Sequence, residues 1–334
     1  MSRGREAVVV GVGSCVPPDV TTNDDLAARL DTSDEWIHTR TGIRERRFVA
    51  AGIATVELAT EAGRSALKSA DHPEVDLVVL ATTTPDRLCP ASAPEVASRL
   101  GLVGIGAFDV SAVCTGFIYA LATSAGLISA GVAERVLCIG AEAMSRIVNP
   151  SDRNTAVIFG DGAGALVLRA GDPDEPGALG PFDLGSDGDQ ADLIAVAAGG
   201  SRQPLTGAHE RDDCYMVMDG REVYRHAIPR MTASSLAVLK RAGWTAGDVD
   251  RFVGHQANVR ILDAVANRLG IPEDRRVVNL DRVGNTAGAS IPLALADATA
   301  DGTIRPGHRV LLTAFGGGLT WGSTVLTWPN IDTV

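Results

Sequence analysis

The chain has 334 residues, 45% of them hydrophobic, a formal net charge of −11 and a pI near 5.0. That length suits two domains rather than one small core, and that hydrophobic fraction excludes wholesale disorder. An acidic chain without a Lys/Arg run lacks the footprint of a nucleic-acid binder, and no apolar stretch approaches the ~20 residues of a membrane span.

The opening apolar run has the look of a signal segment, but Gly11, Gly13 and the Pro17-Pro18 pair cut it short, so it reads as a first buried strand. Gly11-Val-Gly13 is no dinucleotide fingerprint, because Val16 stands where a third glycine belongs. Thr32-Ser-Asp-Glu35 reads as a capping box opening a helix at Trp36. Periodicity then predicts a helix over 56–70, strands over 76–82 and 107–113, a helix over 117–130 and a strand over 136–140. Strands that are apolar throughout are buried on both faces, as in a sheet covered by helices on each side. Gly160-Asp-Gly-Ala-Gly164 lacks the Lys-Ser/Thr of a phosphate loop and reads as close helix–sheet packing. Residues 170–213, rich in Gly, Pro and Asp, are expected to form an irregular connector between halves 1–175 and 176–334. The second half should carry a helix over 231–242 and a strand over 251–253.

The halves look duplicated. The pattern at Asp76 recurs at Asp250, that at Phe117 recurs at Ile291, and that at Val136 recurs at Val310, each pair 174 positions apart. Strand ends from two such halves can converge on one crevice.

Three short signals carry chemistry: Cys114 in Asp109-Val-Ser-Ala-Val-Cys114-Thr-Gly, His255 in Gly-His255-Gln-Ala-Asn258, and Asn285 in Gly-Asn285-Thr-Ala-Gly. Cys114 falls between a strand and a helix, where unpaired N–H groups should lower its pKa and favour a thiolate. His255 and Asn285 can hold a developing oxyanion, and Phe315-Gly-Gly-Gly-Leu-Thr-Trp-Gly322 can bring backbone N–H groups to a reacting carbonyl. The set suits acyl transfer through a thioester. Cys15, Cys138 and Cys214 read as small core residues in a reducing cytoplasm, and the five cysteines have no zinc-ligand spacing. His38, His72, His209, His226 and His308 read as structural.

These motifs, with Thr32–Ile43, Asp152-Arg153 and Phe159–Gly164, resemble the β-ketoacyl-[acyl-carrier-protein] synthase III family of the thiolase superfamily over nearly the whole chain. The resemblance implies an α/β thiolase-like fold, two halves in a five-layered αβαβα arrangement, working as a homodimer without a cofactor or metal. It implies that Cys114 takes an acyl group from acyl-CoA, and that malonyl-ACP then loses CO₂ and attacks the thioester. His255 and Asn285 would hold the enolate oxygen, and the backbone N–H groups of Cys114 and Gly317 the tetrahedral oxyanion, with Phe315 excluding water. Trp36 would stack the CoA adenine with Arg153 on its other face, Arg40 would meet phosphate, Thr41 would line the mouth, and Ala257 and Asn258 would meet pantetheine. Arg225, Arg260 and Arg268 fall where the family places contacts to acidic ACP.

Several positions depart from the common pattern: Gly254 before the His, Asn154 after Arg153, and Arg221 and Tyr224 in the pantetheine channel. Cys89 stands where some members present a Phe from the partner subunit to the acyl pocket, so a roomier pocket is expected. Rival readings stay open. A biosynthetic thiolase would need a second Cys in the terminal loop, which is absent. A Cys-His-Asn hydrolase would not need a CoA clamp. A non-condensing acyltransferase would pass the acyl group from Cys114 to an alcohol or amine. A catalytically silent partner subunit would have lost the nucleophile.

Overall fold

The computed structural model describes residues 5–205 and 211–334; His209 and part of the expected connector lie outside them. One sheet contains β1 (Glu6–Cys15), β2 (Leu77–Ala81), β3 (Gly106–Val110), β4 (Arg135–Glu142) and β5 (Gly162–Gly171), in the order β1-β5-β4-β2-β3. A second contains β6 (Asp183–Ser186), β7 (Arg251–Gly254), β8 (Arg309–Gly316) and β9 (Thr320–Thr327), in the order β7-β8-β9-β6. The helices that matter for the site are α1 (Asp34–Thr41), α2 (Thr55–Ser69), α3 (Gly116–Ser129), α4 (Gly220–Ala242), α5 (Val259–Leu269) and α6 (Ser290–Ala300).

The duplication is visible in the register. Leu77 of β2 lies opposite Val136 of β4 in a parallel pair, and Arg251 of β7 lies opposite Val310 of β8 in another, at the same offset of 174. Helices α3 and α6 begin at that offset too, at Gly116 and Ser290. The counterpart of β3 is missing from the second sheet, where an isolated parallel bridge joins Phe252 to Arg276.

Five layers result. Helix α2 covers the outer face of the first sheet, α3 and α6 lie between the sheets, and α4 with α5 covers the second. Along β2 the side chains alternate: Leu77, Val79 and Ala81 pack with Phe117 and Leu121 in the middle layer, while Val78 and Leu80 pack with Val56 and Ala62 outside. Both faces are therefore dry, which is why the strand is apolar at every position. Glycines set the layer spacing. A Cβ on Gly13 would lie 2.2 Å from the Ala66 nitrogen of α2, and one on Gly164 would lie 2.5 Å from the Leu293 nitrogen of α6. The Gly160–Gly164 stretch is thus close packing, as expected.

Four expectations about the elements and the core need correction. The cap of α1 is Ser33, whose hydroxyl accepts from the Trp36 N–H, and the helix starts at Asp34 rather than behind a box at Thr32. Helix α4 begins eleven residues before 231 and runs through Pro229. The connector is not wholly irregular, since it supplies β6, an edge strand, and Ile194–Val196, which pairs with Met216–Met218. Of the three cysteines read as core, Cys138 is buried whereas Cys15 and Cys214 are half-buried.

Candidate active site

Strand β3 ends at Val110, and a single turn, Val113–Thr115, leads into α3. Val113 takes φ +49, the left-handed region that strains a β-branched residue, and this places Cys114 at the helix mouth. At the matching offset, Ala287 takes φ +45 in the turn before α6. Both halves thus carry the same strained elbow, with a thiol at Cys114 in the first and Gly288 at the matching place in the second.

Cys114, His255, Asn285 and Phe315 all line one narrow cavity. His255 follows β7, with its backbone N–H on the Thr313 carbonyl at 2.8 Å, and its Nδ1 lies 2.7 Å from the Ser290 Oγ. The Ser290 hydroxyl also accepts from the Gln256 N–H at 3.4 Å, so its own hydrogen is free for Nδ1. The ring proton then sits on Nε2 as a donor. Burial pulls the His255 pKa down to about 3, so the imidazole is neutral. Asn285 is pinned through its backbone to Ile158 and Gly160. Its Oδ1 accepts from the Ala287 N–H at 2.8 Å, which leaves Nδ2 as the free donor.

The expected thiolate is not found. Burial pushes the Cys114 thiol up to about 12, and the charge of Glu142 adds to this. A helix terminus contributes at most ~2 kcal/mol, roughly 1.5 pKa units, which is too little to reverse such desolvation. The Cys114 side chain is therefore a neutral thiol. Gly316 reaches it closely: an added Cβ would lie 2.8 Å from the Cys114 nitrogen. Gly317, expected to supply an oxyanion donor, follows directly at the end of β8.

A larger, more open space is lined by Trp36, Arg40, Thr41, Asn154, Arg221, Tyr224, Arg225, Asn258 and Arg260, among others. It adjoins the cavity along the chain, since its lining residues Tyr224 and Asn258 directly follow Val223 and Ala257, which line the inner site. Both Arg40 and Arg153 lie against the Trp36 ring, 4.4 and 4.8 Å from its centroid, so Arg40 is a ring partner as well as a candidate phosphate contact. The Thr41 hydroxyl is occupied by its own helix, donating to the Ile37 carbonyl and accepting from the Ile43 N–H. Asn258 caps α5 through Oδ1. Arg225 pairs with Glu222 beside this mouth. Arg268 lies in the last turn of α5, away from it. Cys89 is exposed and lines neither space of its own chain.

Other functional residues escaped sequence reasoning. Met144, Met216, Met218 and Met231, every methionine after Met1, line the cavity. Ser290 and Glu142 act from neighbouring elements, and no local pattern marks them. No group of His, Cys, Asp and Glu among the described residues could hold a metal ion.

Sheets, paired elbows and a Cys-His-Asn cavity define a thiolase-fold acyl-transferring enzyme. Residues 108–188 match the 3-oxoacyl-[acyl-carrier-protein (ACP)] synthase III family and residues 239–328 match its C-terminal part. β-Ketoacyl-[acyl-carrier-protein] synthase III 3 of Streptomyces coelicolor is 58% identical, covering 99% of each chain. The crystal structure of 3-oxoacyl-(acyl carrier protein) synthase III from Pseudomonas aeruginosa PAO1 is 52% identical, with a TM-score of 0.91 over 98% of this chain and 99% of that one. The priming β-ketosynthase from the R1128 polyketide biosynthetic pathway is 34% identical, with a TM-score of 0.92 over 100% and 99%. The chain belongs to the β-ketoacyl-[acyl-carrier-protein] synthase III family.

Proposed function

We propose that the chain is a priming β-ketoacyl-ACP synthase that loads an acyl group from acyl-CoA onto Cys114 and condenses it with malonyl-ACP. The thiol attacks the acyl-CoA carbonyl, the new C–S bond forms as the CoA–acyl bond breaks, and the thiol proton leaves with CoA. Malonyl-ACP then loses CO₂. The enolate oxygen is held by His255 Nε2–H and Asn285 Nδ2–H, and the enolate carbon displaces Cys114 from the acyl carbon. Each such donor typically supplies about 3 kcal/mol to a developing oxyanion. Backbone N–H groups of Cys114 and Gly317 serve the tetrahedral intermediate, and Phe315 keeps water from the departing CO₂.

The observation that carries this reading is the meeting of Cys114, His255, Asn285 and Phe315 on one cavity behind a mouth bearing Trp36 and its two arginines. CoA would enter along Trp36, Arg40, Arg153, Thr41, Ala257 and Asn258. Acidic ACP would dock on Arg225 and Arg260, with Arg268 further along α5. The halves 1–175 and 176–334 would then act as nucleophile and enolate sides of one site. A homodimer is supported by β3, a strand at the sheet edge, and by Leu88 and Val103, which are 82% and 85% exposed. In that dimer Cys89 would face the partner's acyl chamber. Five unpaired cysteines support a cytoplasmic setting. Among the described residues no helix is long and apolar enough to cross a membrane.

Intact-mass measurement after incubation with acyl-CoAs, followed by malonyl-ACP, tests the reading. A mass gain on Cys114 that is discharged as β-ketoacyl-ACP is expected. Discharge to an alcohol or amine, without C–C bond formation, would instead establish the non-condensing activity.

A further inference from the structure

Strand β4 ends in Glu142, a carboxylate fully shielded from solvent. It accepts from the Thr83 N–H at 3.0 and 3.1 Å and from the Thr84 hydroxyl at 2.9 Å. Longer contacts reach the Thr82 hydroxyl at 3.4 Å and the Gly288 N–H at 3.3 Å. Among the described residues no Arg, Lys or His is hydrogen-bonded to it; its partners are neutral. Burial pushes its carboxyl up to about 7, which those donors only partly offset. A buried acid without a cation is costly, so its position calls for a reason.

That position meets the second strained elbow, which itself packs against the first. Gly288 follows Ala287, whose N–H is held by Asn285 Oδ1, so Glu142 and Asn285 grip one turn from two sides. A Cβ on Gly288 would lie 2.9 Å from the Glu142 Oε1 and 3.2 Å from the Val113 carbonyl oxygen, next to Cys114. Cys114 is the titratable group on which the Glu142 charge acts. Surrounding acids are tied elsewhere: Asp86 to the Val56 N–H, Asp109 to the N–H groups of Ser92 and Ala93, and Asp161 to Ser145 and Val49. His255 is tied to Ser290.

We propose that Glu142 is a positioning residue for the condensation, holding Gly288 so that its turn aims the Asn285 carboxamide. Its charge, placed behind the turn that packs on the Cys114 elbow, also disfavours a thiolate there. The proposal rests on the condensing reading above. It assigns a task to a carboxylate that the two-step chemistry does not itself require.

The test uses the full chain carrying Glu142→Gln, Glu142→Asp or Gly288→Ala, with two measurements. The first is alkylation of Cys114 by iodoacetamide without substrates. Because the carboxylate is ionised mainly above its raised pKa, E142Q should alkylate about three- to tenfold faster than the parent near pH 8.5, with the two converging below roughly pH 6. The second is CO₂ release from malonyl-ACP by acylated enzyme. There kcat should fall about tenfold in E142Q and in G288A, and E142D should recover part of it. G288A keeps the charge and should keep the parental pH dependence of alkylation, whatever its absolute rate, a split that general loosening of the fold would not produce. Superimposed E142Q and parent alkylation profiles near pH 8.5, or undiminished CO₂ release in E142Q, overturn the proposal. Should E142Q fail to fold, undiminished CO₂ release by G288A overturns it equally. A parent that releases no CO₂ defeats the condensing reading and the positioning of Asn285 with it; the substrate-free alkylation profiles separate that failure from one at Glu142.

Discussion

The Ser290 hydroxyl, at the first residue of α6, lies 2.7 Å from the His255 Nδ1, at the end of β7. This contact joins the central helix layer to the second sheet and leaves Nε2 as the imidazole nitrogen available to the cavity. Replacing Ser290 by Ala leaves the ring free to flip or to change tautomer. A buried hydrogen bond of this kind is worth about 1 kcal/mol, and a donor misaimed at an oxyanion costs more. Ser290→Ala should lower kcat for malonyl-ACP decarboxylation about tenfold while acyl loading, which needs Cys114, stays within about twofold. Equal loss in both steps, measured separately by CO₂ release and intact mass, would remove the orienting role.

Gly316 makes a steric prediction. Its missing side chain leaves room for the Cys114 backbone, and an added methyl carbon would stand 2.8 Å from that nitrogen and 3.1 Å from the Cys114 Cβ. Both neighbours belong to a strained turn and cannot yield cheaply. Gly316→Ala should cut Cys114 acylation at least about tenfold, read as the rate of mass gain with acyl-CoA. Gly126, exposed in α3 with nothing within 4 Å of an added Cβ, is the matched control. Gly126→Ala should leave acylation unchanged and raise stability by about 0.5–1 kcal/mol.

The sequence carried most of the architecture because repetition is a pattern that one chain can show against itself. The offset between Asp76 and Asp250 points to duplicated halves, and the parallel pairs begun by Leu77 and Arg251 keep that offset. It also brought Cys114, His255 and Asn285 to one crevice. What stayed hidden depends on contacts distant in the chain. The Cys114 thiol was expected to be ionised because a helix end is visible in sequence, whereas burial and the Glu142 charge are not. The sequence pattern shows helix α4 only from 231, beyond Pro229, a residue that removes a donor and crowds the preceding turn. The Asp219 cap and the buried Ala227, Ile228 and Met231 carry it through, with the Pro229 ring facing solvent.

Trp36 has an arginine near its ring twice over, Arg40 and Arg153. A flat base entering the mouth would displace one guanidinium and keep the other, exchanging one cation–π contact for stacking. Base–aromatic stacking is worth about 1–3 kcal/mol. Trp36→Ala should therefore raise KM for acyl-CoA by about tenfold and leave kcat nearly unchanged, since the ring lies at the mouth rather than at the thiol. Initial rates across acyl-CoA concentration read the split. A fall in kcat at unchanged KM would place Trp36 outside the binding path.

The neutral His255 also sets how the fold responds to acid. Its pKa is about 3 in the folded chain against an ordinary 6.5, because burial disfavours the imidazolium. Between those values the unfolded chain binds a proton that the folded chain refuses, so stability rises with pH and is lost as pH falls below 6.5. At about pH 5 the unfolded state gains roughly 2 kcal/mol from this one group, whereas near neutrality the gain is small. Glu142 works in the opposite sense, its raised carboxyl costing stability as pH climbs from about 4.5 toward 7. That contribution is common to the parent and to a His255→Asn variant, and it cancels when the two are compared. Urea unfolding at about pH 7 and pH 5 should show the parent losing roughly 2 kcal/mol more than His255→Asn over that interval. Parallel losses in the two proteins would mean that the imidazole takes up its proton inside the folded chain, and a cationic ring could not then serve as the neutral donor assigned to it.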